Sequence, residues 1–537
     1  MENEKAGNVL SGNYHFLGIE FGSTRIKAVL INEEHTVIAQ GNHDWENKME
    51  NGIWTYSMEA ILQGLQDSYR QLKETYYGLY HTTLQHIDGI GISAMMHGYL
   101  VFDAQGTLLT PFRTWRNTMT QQASKELSDL FRFHIPQRWS IAHLYQAMLN
   151  KEEHVKEIAL QTTLAGYIHY LLTGKCVLGI GEASGMFPID PQTKDYDEHM
   201  LELFDQTTSG YGYPWKLCEI LPAVLQAGDD AGVLSETGAL LLDTEGDLKA
   251  GVPLCPPEGD AGTGMVATNS IRPRSGNVSA GTSVFAMVVL EQKLKRVYEE
   301  FDVVMTPSGD TVAMVHCNNG TSELNAWVHM FQELLQLSGT NMDTNELYEL
   351  LFQKALKADS TGGGLTACNY LSGEHITGFE EGLPLFVRRA DSTFNLANFM
   401  LVQLYSSLST LKIGMDILIQ KEHVQLDQMY GHGGFFKTPE VGQKIMAAAM
   451  HAPISVMTTA GEGGAWGCAV LAAYRVTKDD YISLHDYLER SVFAKTQNCT
   501  IRASQKLQEG FDSFIEEYRK LLFVERAALT QLQQDRN

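Results

Sequence analysis

The chain has no surplus of positive charge. Its 537 residues carry 40 Lys and Arg against 64 Asp and Glu, a formal net charge of −24. No basic stripe offsets that balance, which argues against a nucleic-acid face or an anionic-membrane surface. A few local donors can still hold a small phosphate-bearing ligand. Cysteine is scarce and unpaired: seven thiols, at 176, 218, 255, 317, 368, 468 and 499, are scattered with no Cys-x-x-Cys. That pattern excludes a disulfide framework or a structural zinc site and suits reduced thiols in a cytosol. Long apolar runs are missing too; the uncharged stretch 445–461 is short and is broken by His451 and Pro453. The opening Met-Glu-Asn-Glu-Lys-Ala-Gly lacks the basic-then-apolar order of a signal peptide. No low-complexity segment appears. The expectation is a cytoplasmic protein with neither nucleic acid nor membrane as partner.

What is present is an ordinary globular composition, 44% apolar and 19% charged. The length exceeds what one core supports, so about two large domains are expected. Residues 16–31 read as strand, turn, strand around Gly22-Ser23-Thr24, and a third run at 36–40 extends the meander. Small and hydroxyl residues at such a turn present N–H groups able to cradle a phosphate. Glu20 closes the first strand, where a metal or water could be held, and Lys27 follows the turn with positive charge. A helix is expected over 58–80, then a strand over 87–93 running into Met96-His97-Gly98. A loop at that sheet edge is where α/β proteins bind ligands. Trp115 offers a flat face for a sugar ring, and Asn117 can both donate to and accept from hydroxyls.

Residues 140–174 have a helical pattern closed by a Leu-Thr-Gly cap, and Glu182-Ala183-Ser184-Gly185 is a small-residue loop. The segment 257–264 holds Asp260 between glycines and reads as neither helix nor strand. A carboxylate there is a candidate general base or metal ligand, or else a turn or cap residue. The second half repeats the opening: 278–289 is again strand, turn, strand, now around Gly281-Thr282-Ser283. Such a repeat suggests a duplicated architecture, with a nucleotide phosphate chain in the cleft between halves. A long amphipathic helix is expected over 394–420. The Gly433-Gly434-Phe435 turn before helix 439–450 offers bare backbone to a purine ring. Residues 462–469 start a small-residue helix, and 504–532 form a docking helix.

The ordered set of these motifs, with Gly373-Glu374, resembles the FGGY-family carbohydrate kinases, the xylulokinase-like members most closely. The resemblance implies an α/β chain of two ribonuclease-H-like (actin-type) domains with a ligand cleft between them. It places a sugar-binding and catalytic domain at 14–265, a nucleotide-binding domain at 266–475 and a helical tail at 476–537. It also implies ATP-dependent phosphorylation of a sugar hydroxyl with Mg²⁺. Asp260 is then the catalytic base, with Met96, His97, Gly98, Trp115 and Asn117 beside it in the sugar pocket. Gly22, Ser23, Thr24, Lys27, Gly281, Thr282, Ser283, Gly433, Gly434 and Phe435 fall at the ATP site, and Glu20 with Asp260 at the metal. Three departures stand out: Glu20 replaces the usual Asp, Trp115-Arg116-Asn117-Thr118-Met119 replaces Trp-x-Asp-x-Arg, and His375 replaces Arg. A ketopentose such as xylulose is the expected substrate, with ribulose, fuculose and a polyol such as glycerol open. A homodimer is one assembly left open. A non-catalytic sugar or nucleotide sensor and a sugar-independent ATPase are the competing readings.

Overall fold

The computed structural model describes residues 14–457, 463–496 and 498–534; the 1–13 extension and Glu462 lie outside them. The chain divides into two compact units. The first comprises Met1–Arg272, Val303–Val312 and Glu462–Lys495, and the second Pro273–Asp302, Ala313–Gly461 and Thr496–Asn537. The tail expected as one piece is therefore shared between the units. Its part through Lys495 continues from a helix that belongs to the first sheet, and its last helix belongs to the second core.

In the first unit, His15–Phe21, Arg25–Asn32 and Val37–Asp44 form an antiparallel meander. Gly89–Ala94 adds in parallel to the first strand, and the two-residue strand Glu258–Gly259 adds in parallel to that. Leu17, Ile19, Phe21, Ile90 and Ile92 fill the core, where dispersion and apolar burial supply most of the stability. The helix Gly463–Thr477 lies on this sheet at close range. A Cβ at Gly18 would stand 2.0 Å from Ala465 O and 2.5 Å from Ala469 N. The helix Met58–Tyr80 covers the meander, capped by the Ser57 side chain accepting from the Ala60 amide. Its Lys73, 7% exposed, is ringed by Asp243, Glu245 and Asp247, with Nζ to carboxylate distances of 2.8–3.0 Å.

The second unit repeats the order. Ser275–Ala280 and Val284–Val289 form the hairpin, with Thr311–Cys317 next to it. Gln428–His432 adds in parallel to the hairpin's first strand and Ile454–Met457 in parallel to that. Asn498–Ile501 closes the edge antiparallel. Both units are thus the same meander extended by parallel strands from its first strand, a mixed α/β fold of the ribonuclease-H-like type in duplicate.

Two helices differ from expectation. The helix Leu396–Asp416 is buried on every side from Ala397 to Met415, so it is a core helix and not an amphipathic one. The span 140–174 holds two helices, Ser140–Leu149 and Leu164–Thr173, because the chain breaks at Lys151, which has a φ of 57°. The Gly174 cap expected at the end of the second has a φ of 76°. The last helix, Gln505–Gln534, docks through Phe511, Phe514, Ile515, Tyr518 and Leu521. Among the described residues no helix is long and apolar enough to cross a membrane.

Candidate functional site

In the first unit three of the sequence motifs meet. Gly89–Ala94 delivers Met96, His97 and Gly98 just past the strand end, and Glu258–Gly259 delivers Asp260 beside them. Asp260 is not on a loop: it is the first residue of the helix Asp260–Ala267, whose N-cap is Gly259. Glycine is required at 259, because a Cβ there would lie 2.3 Å from Met96 Cγ and 2.5 Å from Glu182 Oε2. Gly185 plays the same part, since its Cβ would meet His97 Nδ1 at 2.8 Å. His97 is buried with a φ of 71°, a costly conformation for a residue with a side chain. It is held by the Gly185 carbonyl, 3.0 Å from Nδ1, and by stacking on Trp139. A carbonyl only accepts, so Nδ1 carries the hydrogen in this contact.

The carboxylates around this point are shifted together. Asp260 is withdrawn from water and its carboxyl is pushed up to about 6, although the Ala261 and Met96 amides pull the other way. Ala261 N donates to its Oδ1 at 2.8 Å. Burial, and then the Asp260 charge, push Glu20 up to about 7. Glu20 faces the start of the helix Gly463–Thr477, where Ala465 N donates to its Oε2 at 3.2 Å, and it pairs across the hairpin with Lys27. A helix N-terminus favours a negative charge at that position. Glu258, fully enclosed, is pushed up to about 8 by burial while accepting from Glu182 N at 3.0 Å. Its carboxyl fills the space left by Gly179 and Gly181.

The first hairpin turn has its carbonyls tied down. Trp45 Nε1 donates to Gly22 O at 2.7 Å, and the Tyr56 hydroxyl donates to Ser23 O at 2.6 Å. These two rings stack on each other with centroids 4.0 Å apart. A trans peptide points its N–H opposite its carbonyl, so the Ser23 and Thr24 amides face away from the aromatic pair. Trp115 Nε1 reaches Ser23 Oγ at 3.3 Å, which brings the expected sugar-stacking ring to this turn.

Asn117 is different. Its Nδ2 donates to Trp54 O and Thr114 O, both at 2.9 Å, and its Oδ1 accepts from Trp54 N. Buried and with both donors occupied, it holds the loop and has no hydrogen to give a ligand, contrary to its expected place in the pocket.

In the second unit a cavity of about 460 Å³ is lined by Gly281, Thr282, Gly434 and Phe435, with Asn345 and Tyr348 on its wall. Four of the residues expected at the ATP site therefore share one space, and its volume lies in the ordinary range for small ligands. Ser283 and Gly433 are not on that wall. Gly433, with a φ of 98°, instead sets the turn against the neighbouring strand, where a Cβ would meet Ala280 O at 2.5 Å. Phe435 is also a core residue, packed with Phe352 and Phe436. Sequence reasoning missed Trp45, Tyr56, Glu258 and Trp139. The available signal for Glu258 was the glycine pair at 179 and 181, which leaves room for a side chain supplied from elsewhere.

Comparison with known proteins adds the following. The model for the FGGY family of carbohydrate kinases, N-terminal domain, matches residues 15–266, and that for its C-terminal domain matches 276–476. The xylulose kinase of Haemophilus influenzae is 22% identical over 486 residues, covering 83% of this chain and 91% of that protein. The L-fuculokinase of Escherichia coli K12 is 25% identical over 250 residues, 44% of this chain, and the match spans about half of that protein, 49%. The solved ligand-bound xylulose kinase from Lactobacillus acidophilus has a TM-score of 0.77 at 16% identity, covering 97% of this chain and all of that one.

Proposed function

We propose, because the chain belongs to the FGGY family of carbohydrate kinases, that it transfers the γ-phosphoryl group of ATP to a hydroxyl of a small sugar. The observation that carries this reading is Asp260, a carboxylate fixed at the first residue of the helix Asp260–Ala267 by the Ala261 amide, 2.8 Å from Oδ1, beside the Met96-His97-Gly98 loop. Asp260 takes the proton of the acceptor hydroxyl as that oxygen attacks phosphorus. Phosphoryl transfer depends mainly on positioning and charge neutralisation, so a single base on a rigid helix end is sufficient protein chemistry. Met96, His97 and Trp115 orient the sugar.

The outward-facing amides of the first turn suit phosphate oxygens, and the cavity by Gly281, Thr282, Gly434 and Phe435 suits the nucleoside part of ATP. Mg²⁺ takes only one or two carboxylates and completes its shell with phosphate oxygens and water. Glu20, beside Asp260 in charge range, fits that requirement, and the ion supplies charge neutralisation at the phosphates. A ketopentose such as xylulose is the substrate proposed, on the support of the long match to a xylulose kinase. ADP release by the purified protein with ATP and Mg²⁺, across ketoses, aldoses and polyols, tests both levels. One strong responder names the sugar. ADP release indifferent to sugar, or none with any sugar, overturns the kinase reading.

Two further results are expected. The base must be ionised, so kcat/KM rises with pH through about 6 and not near the usual carboxylate value of about 4. The sign for stability is opposite: a raised pKa means the folded chain binds this proton more tightly than the unfolded chain. Asp260 therefore favours folding increasingly as pH falls from above 6. A pH–rate profile with its acid limb near 4 would remove Asp260 from this role. Separately, Tyr56→Phe unties Ser23 O, a hydrogen bond worth about 1 kcal/mol, and raises KM for ATP about 5-fold with KM for sugar unchanged. Steady-state kinetics with each substrate varied in turn check this.

A further inference from the structure

The second hairpin turn is held differently from the first. Its carbonyls are tied by another piece of backbone: Gly320 N donates to Thr282 O at 2.8 Å, and Thr321 donates to Gly281 O through both N and Oγ1 at 2.9 Å. By the same trans-peptide geometry, the Thr282 and Ser283 amides point away from residues 320–321. Glycine is needed at 320, because a Cβ would stand 2.4 Å from Gly281 O and 2.8 Å from Thr282 O.

Residues 320–321 are themselves set by a buried polar knot. Asn319 donates from its amide N and from Nδ2 to Glu374 Oε2, each at 3.2 Å. Asn319 Oδ1 accepts from Leu371 N at 2.9 Å and Ser372 N at 3.1 Å. Asn369 Nδ2 donates to Asn319 O at 2.9 Å and to Gly320 O at 2.8 Å. Glu374 is wholly buried and Asn319 is 5% exposed. Every one of these contacts lies in the second unit. An asparagine used through its amide N, its carbonyl and both side-chain polar atoms, on a buried carboxyl, is an expensive arrangement to keep for a surface turn.

We infer that Asn319 and Glu374 are positioning residues for the nucleotide, holding Gly320 and Thr321 so that the 281–283 turn presents two adjacent amides to phosphate oxygens. This rests on the proposal above that ATP occupies the cavity by Gly281 and Thr282, and adds that its phosphates lie over the 281–283 turn. Neither residue touches the nucleotide; each acts through the backbone of 320–321. The knot also gives residue 374 a reason to offer a side-chain oxygen whatever follows it, and His375 in place of Arg leaves those contacts intact.

The test is binding of ADP to the full chain by titration calorimetry, with KM for ATP and for the responding sugar measured alongside. Asn319→Ala is expected to weaken ADP binding about 10-fold or more and to raise KM for ATP equally, with KM for sugar unchanged. Glu374→Gln keeps an oxygen for Asn319 and should bind within about 3-fold of wild type, whereas Glu374→Ala should behave like Asn319→Ala. A second variant covers the case in which Asn319→Ala fails to fold. Thr321→Val removes one bond to Gly281 O at constant shape and should weaken ADP binding about 3–5-fold. Wild-type ADP affinity in folded Asn319→Ala or in Thr321→Val overturns the inference. Loss spread equally over ATP and sugar does the same, since it marks a general structural role. Wild-type protein that binds no ADP at all would instead bring down the functional reading beneath it.

Discussion

Replacing Asp260 with Asn lowers kcat about 10²–10⁴-fold, the usual contribution of a general base, and leaves the fold intact. The substitution keeps the size of the side chain and its Oδ1, so the Ala261 amide still has an acceptor at 2.8 Å. It removes the lone pair that receives the hydroxyl proton. The fold is retained, because a partly buried carboxylate is replaced by a neutral group of the same shape. The expected signature is therefore a fall in kcat with an unchanged or slightly higher melting temperature and near-normal ADP binding. Turnover close to wild type would mean that another group accepts the proton.

Lys73→Met is expected to cost the first unit about 3–5 kcal/mol, the usual effect of removing one partner from a buried ion cluster. Methionine fills nearly the same volume, so packing is preserved and the loss is electrostatic. Asp243, Glu245 and Asp247 would be left converging on a point with no cation, and Asp243 is 3% exposed. Asp243 keeps three backbone donors, from Glu245, Asp247 and Leu248, which hold the effect toward the lower end of that range. Urea unfolding followed by circular dichroism measures it. Adding Asp243→Asn and Asp247→Asn to Lys73→Met should return part of the loss; a single variant as stable as wild type would show that the cluster is neutral overall.

Much of the architecture can be read from the chain because its signals are local. Both hairpins announce themselves by β-rich runs around a glycine-hydroxyl turn, and the helix Met58–Tyr80 by its stripe and its serine cap. The misses have physical causes. Leu396–Asp416 looks amphipathic because it carries Ser406, Ser407, Ser409 and Thr410. Yet Ser407 and Ser409 return their hydroxyls to the carbonyls of Gln403 and Tyr405 four residues back, so they pack as apolar side chains would. Asp260–Ala267 holds two glycines in eight residues and has little helical propensity of its own. Its helicity is set by the helix Gly463–Thr477, where a Cβ at Gly467 would lie 2.1 Å from Thr263 O. Asn117 and Asn319 carry the same side chain, and only the surrounding backbone decides that the first braces a loop and the second a turn. No spacing rule reaches partners that distant.

The first unit borrows a covering helix from the later part of the chain, and this sets an order of events during synthesis. When a ribosome has released residues through Arg272, the strand His15–Phe21 is made but the helix that lies on Gly18 is almost two hundred residues away. Until Gly463–Thr477 emerges, the face of the sheet that carries Gly18, Glu20 and Gly91 lacks the helix that covers it, and closure of so long a loop is slow. The second sheet meanwhile has its hairpin and parallel strands complete by Met457. The half that begins the chain is consequently finished only after most of the other half has been made, and a fragment cut near residue 272 would leave the Gly18 face of its sheet without that helix.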